Sequence, residues 1–114
     1  MNRPQRVLTV CQGGNVRSVM MRYLFNYKYG LDCLACGWEP NTVETKRMLF
    51  DWADMVICMQ DGIREKLPED VQTKAVTWDI GDDVWGLNAD LMEVCDSVIQ
   101  QHLEAQLEEV SEAV

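Results

Sequence analysis

The chain is poor in several things that common function classes require. It has one histidine, His102, and its five cysteines are scattered, so no zinc site and no other metal or cofactor is expected. No apolar run approaches the roughly 20 residues that would span a bilayer. The first residues, Met-Asn-Arg-Pro-Gln-Arg, lead into a short apolar run with no small-residue cleavage site behind it, so no signal peptide is expected. Basic residues are few: ten Lys and Arg stand against nineteen Asp and Glu, a net charge of -9. Such a surface repels nucleic acids and anionic membranes, and neither is expected as a partner. An odd cysteine count without a secretion signal argues against a disulfide framework and for a reducing, cytoplasmic setting. Repeats, linkers and low-complexity tracts are absent too, and 114 residues leave no room for a useful second domain, so residues 1–114 read as one domain.

What is present is a folded chain, 47% hydrophobic despite its charge. Residues 6–10, Arg-Val-Leu-Thr-Val, read as a buried strand. After Gly13 and Gly14 the spacing becomes helical from Ser18 to Tyr29, with Val19, Tyr23, Leu24 and Tyr27 on one face and Gly30 ending the helix. Residues 31–36 form a second strand. Asn41 with Glu44 suggests a capping arrangement for a helix through Trp52. Residues 55–59 and 75–80 supply a third and a fourth strand, with a short helix over 62–66 between them. A last helix, capped by Asn88, buries Leu91, Val94, Cys95, Val98 and Leu103. Apolar strands alternating with helices predict an α/β domain of three layers, a four-stranded parallel sheet with helices on both faces.

The chemistry concentrates in residues 11–18, Cys-Gln-Gly-Gly-Asn-Val-Arg-Ser, between the first strand and the first helix. A glycine-containing loop between strand and helix turns several backbone N–H groups into one concavity, and the helix adds its positive end. The backbone of Gln12, Gly13, Gly14, Asn15 and Val16 would cradle a phosphate there. Arg17 would hold two phosphate oxygens in a fork that lysine cannot reproduce. The same field favours the thiolate of Cys11, the nucleophilic form, and Ser18 can donate a hydrogen bond to it. Cys33 and Cys36 form a C-x-x-C, but residues three apart on a strand face opposite sides, so neither a redox nor a metal role follows.

This string resembles the signature loop of the low-molecular-weight protein tyrosine phosphatases, and the resemblance runs on in order along nearly the whole chain. Ala35-Cys36-Gly37 falls where that family has Ser-Ala-Gly. Residues 79–86, Asp-Ile-Gly-Asp-Asp-Val-Trp-Gly, look like its aspartate loop. The resemblance implies a two-step hydrolysis of phosphotyrosine in a protein, or of a small phosphomonoester, without a cofactor. Cys11 would be the nucleophile, Arg17 the phosphate clamp and Asp82 the general acid, with Asp83 as the alternative. Trp85 would flank a substrate ring, and Trp38 is a second candidate wall. The chain departs from the family at three points. The family's loop asparagine is Gly14 here, with an asparagine one place later at Asn15. Its second loop cysteine is Val16, and its aspartate-loop proline is Gly81. A thioredoxin-coupled arsenate reductase is disfavoured, because Cys58 lies within the third strand and Cys95 within the last helix. A phosphate- or phosphoprotein-binding module with weak or no turnover stays open beside the enzyme.

Overall fold

The computed structural model describes residues 6–13, 16–80 and 89–113, with side chains up to residue 102. Strand β1 (Arg6–Cys11) is followed by α1 (Arg17–Tyr27), β2 (Asp32–Gly37), α2 (Val43–Trp52) and β3 (Met55–Cys58). A 3₁₀ turn (Arg64–Lys66), a one-turn α3 (Glu69–Gln72), β4 (Ala75–Thr77) and a long α4 (Ala89–Ala113) complete the chain. The four strands are parallel and ordered β2-β1-β3-β4. Strand order thus runs outward in opposite directions from β1 and β3, and this reversal opens a crevice beyond the carboxyl ends of those two strands.

β1 is central, and its side chains divide the core. Val7 and Cys11 join Met21, Leu24, Phe25, Leu91, Cys95 and Ile99 under α1 and α4. Leu8 and Val10 join Phe50, Ile63, Leu67 and Val71 under α2 and α3. Cys33 falls in the first cluster and Cys36 in the second, as alternation along β2 requires. Thr9 is fully buried on the α1 side, where its hydroxyl donates to the Ser18 carbonyl at 2.9 Å. Among the described residues no helix is long and apolar enough to cross a membrane.

Several local expectations are corrected. Met20, Met21, Leu24 and Phe25 form the buried face of α1, while Tyr23 and Tyr27 stand outside and pack on each other, ring centroids 5.0 Å apart. The N-cap of α2 is Thr42, whose side chain accepts from Thr45 N. The Asn41 side chain instead accepts from Gly37 N at 2.8 Å. Met48 on α2 is exposed. The helix expected over 62–66 is a single 3₁₀ turn, and α3 follows Pro68. β4 stops at Thr77. Helix α1 ends at Tyr27 with Lys28 as its C-cap, short of the expected Tyr29, and Gly30 turns the chain toward β2 at a left-handed φ of 67° that glycine adopts without Cβ strain.

Candidate active site

Cys11 is the last residue of β1 and Arg17 the first of α1, so both stand at the mouth of the crevice. Both side chains are 2% exposed. Burying a guanidinium is costly unless it is hydrogen-bonded, and Arg17 Nη2 donates to Gln60 Oε1 at 2.8 Å. Gln60 lies just beyond the end of β3, on the other side of the crevice. Cys11 Sγ and Ser18 Oγ are hydrogen-bonded at 3.2 Å. The Thr9–Ser18 bond holds the start of α1 down on β1, which fixes Ser18 beside the thiol. Val16 packs against the α1/α4 core, and its carbonyl accepts from Met20 N at 2.9 Å as the helix begins.

The structure therefore joins Ser18 to Cys11 and sets Arg17 against Gln60 at the same end of the sheet, with Gln12 and Gly13 half-buried beside Cys11. Gly14, Asn15, Asp82, Asp83 and Trp85 lie outside the described residues. The last described residue before Asp82 lies at the same end of the sheet: Ile80 N donates to Met59 O at 3.2 Å, one residue from Gln60. Trp38 is beside the end of β1, its backbone N–H donating to Cys11 O at 2.8 Å. One face of its ring is covered by Lys46, with Nζ 3.9 Å from the centroid, so that face is not open to a substrate. Trp78 is buried and stacks on His102, and burial lowers the His102 pKa below its ordinary value.

The remaining four thiols are buried in the two cores. Burial pushes Cys33 and Cys95 up to about 12, and Cys36 and Cys58 up to about 11. They are protonated, inert packing groups at neutral pH. Among the described residues no group of three His, Cys, Asp or Glu side chains could hold a metal ion. Gln60 is the site residue that sequence reasoning missed. Its one signal is being the first polar residue after an apolar parallel strand, at the end where ligands bind.

No protein-family model and no curated protein matches the chain. Solved structures do. YwlE arginine phosphatase from Geobacillus stearothermophilus superposes with a TM-score of 0.65 at 22% identity, covering 92% of this chain and 97% of that one. The tyrosine phosphatase Wzb from Escherichia coli K30, in complex with phosphate, gives 0.68 at 12% identity, covering 90% and 99%. A YwlE variant with serine in place of a cysteine, its active-site serine phosphorylated, gives 0.57 at 19% identity, covering 90% and 95%. At these identities the likeness establishes architecture, and this chain has the low-molecular-weight phosphatase fold.

Proposed function

We propose that the protein is a cysteine-dependent phosphomonoester hydrolase, a protein tyrosine phosphatase working through a phosphocysteine on Cys11. One observation carries the reading: a buried thiol hydrogen-bonded to a serine hydroxyl ends β1, and a buried arginine that reaches across to Gln60 begins α1, both at the strand-order reversal. In the first step Cys11 Sγ attacks phosphorus, the bond to the leaving oxygen breaks, and Asp82 delivers a proton to that oxygen. In the second, water attacks phosphorus and gives its proton to Asp82. The S–P bond then breaks, releasing inorganic phosphate and restoring the thiolate. Arg17 and the loop amides of residues 12–16 balance the charge on the phosphoryl oxygens in both steps. Ser18 hydrogen-bonds the thiolate when it is the leaving group. Trp85 flanks the substrate's ring. The buried thiols suit a reducing cytoplasm.

The test is hydrolysis of p-nitrophenyl phosphate under reducing conditions by wild type, Cys11→Ser and Asp82→Ala. Cys11→Ser should abolish turnover yet keep phosphate affinity, and robust turnover by it sinks the covalent mechanism. Asp83→Ala hurting more than Asp82→Ala would transfer the acid role to Asp83. The YwlE likeness makes phosphoarginine the competing substrate, so a phosphotyrosine and a phosphoarginine peptide belong in the same assay. Phosphate binding without turnover of any of these would favour the binding module.

A further inference from the structure

The segment after β2 is joined to the segment after β1 by more than sheet pairing. The ladder's last register pair is Cys11 with Gly37. Beyond it, Trp38 N donates to Cys11 O at 2.8 Å, and Glu39 N donates to Gln12 O at 3.1 Å. The Gln12 side chain closes a second link, Nε2 donating to Glu39 Oε1 at 2.7 Å. In a regular strand successive carbonyls point to opposite neighbours, and β1 obeys this up to its end: Val10 O accepts from Met59 beyond β3, and Cys11 O accepts from the β2 side. Gln12 breaks the alternation, because its carbonyl also points to the β2 side.

A trans peptide carries its N–H opposite its carbonyl, and the described residues contain no cis peptide. Two consecutive carbonyls turned toward β2 therefore turn two consecutive N–H groups, those of Gln12 and Gly13, away from it. They face the β3 side, where Arg17 meets Gln60. Successive N–H groups aimed one way form an anion-binding concavity. Gly37 allows the two segments to come this close. A Cβ there would lie 2.9 Å from the Gly13 carbonyl and 2.5 Å from Pro40 Cγ.

The geometry points to Glu39 as a positioning residue for the phosphate loop: by holding the Gln12 side chain and carbonyl on the β2 side, it aims the Gln12 and Gly13 amides into the anion site. This rests on the reading of that loop as a phosphate site. It assigns a carboxylate, placed beside an anion site in an already acidic protein, a favourable role in anion binding.

The signs of two substitutions separate this from simple charge repulsion. A solvated carboxylate near the site would only repel phosphate, so Glu39→Gln and Glu39→Ala would both tighten binding, and equally. As a positioning residue, Glu39→Gln keeps the acceptor oxygen and sheds the charge, whereas Glu39→Ala loses the acceptor. Titration of inorganic phosphate by calorimetry should find Glu39→Gln at least as tight as wild type. Glu39→Ala should be about threefold or more weaker than Glu39→Gln, the worth of one modest hydrogen bond. Amide exchange at Glu39, whose N–H reaches Gln12 O, should speed up in Glu39→Ala and not in Glu39→Gln. Equal affinities in the two variants overturn the proposal, as does wild type failing to bind phosphate. Wild type that binds phosphate but turns over no substrate overturns the hydrolase reading alone, and the ratio of the two variants still decides this one.

Discussion

Arg17 brings a positive charge into a site where it is almost wholly buried, and Gln60 is the side chain that meets it from across the crevice. A hydrogen bond to a charged group contributes about 1.5–3 kcal/mol, so Gln60→Leu should lower kcat/KM for p-nitrophenyl phosphate about tenfold or more, chiefly through KM. An unchanged KM would mean that Arg17 is held without Gln60. The two residues are 43 apart in sequence, and nothing local marks their meeting, which depends on β1 pairing with β3. Cys11, Arg17 and Ser18 were legible because strand, loop and helix place them within eight consecutive residues. The buried cysteines give a second expectation at this scale. With thiols raised to about 11 or 12, Cys33, Cys36, Cys58 and Cys95 should resist iodoacetamide at neutral pH until the chain is denatured, as read from the mass of the labelled protein. Fast labelling of any of them in the native state would contradict their packing role.

The elements are held in place by a few polar ties besides the two cores. Asp96 on α4 accepts from Lys28 Nζ and from Tyr29 Oη at the end of α1. Burial alone would raise its carboxyl, but these hydrogen bonds and the Lys28 charge outweigh burial and hold it below its ordinary value. Tyr29 is pushed up to about 12 by burial and by the same carboxylate. A depressed carboxyl stabilises the fold above its unfolded value of 3.8, and that contribution is lost as pH falls through the folded value. Asp96→Asn should therefore cost about 1 kcal/mol near neutral pH and flatten the acid limb of a stability–pH curve. At the end of β2, Gly37→Ala must displace Pro40 or the Gly13 carbonyl, costing about 1–3 kcal/mol in denaturant unfolding and a larger relative loss of phosphate affinity. Helical period was readable in α1, but its phase was not. Two tyrosines on one stripe suggested an inner face, yet Met20, Met21 and Phe25 fill the space over β1 more completely. The α2 cap moved from Asn41 to Thr42 because the Asn41 side chain is taken by the Gly37 amide, a tertiary contact that spacing does not reveal.

For the whole molecule, the alternation of apolar strands with helices was enough to read a parallel three-layer sheet. The order β2-β1-β3-β4, which makes the crevice, comes from packing rather than from any local pattern. A net charge of -9 surrounds the proposed anion site. Raising ionic strength from about 0.01 M to about 0.15 M should screen that field and lower KM for an acidic phosphopeptide, with little effect on a small neutral-tailed aryl phosphate. An opposite trend would mean that the surface near the site is locally basic. On the proposed mechanism this scaffolding serves one covalent intermediate, a phosphocysteine on Cys11. Rapid alkaline quenching of the wild-type protein mixed with p-nitrophenyl phosphate, followed by peptide mass analysis under conditions that spare the acid-labile S–P bond, tests this. A phosphoryl group should be found on the Cys11 peptide, be absent in Cys11→Ala, and accumulate in Asp82→Ala, where the second step is slowed. Turnover with no phosphoryl group on that peptide, or with one on another residue, would contradict it.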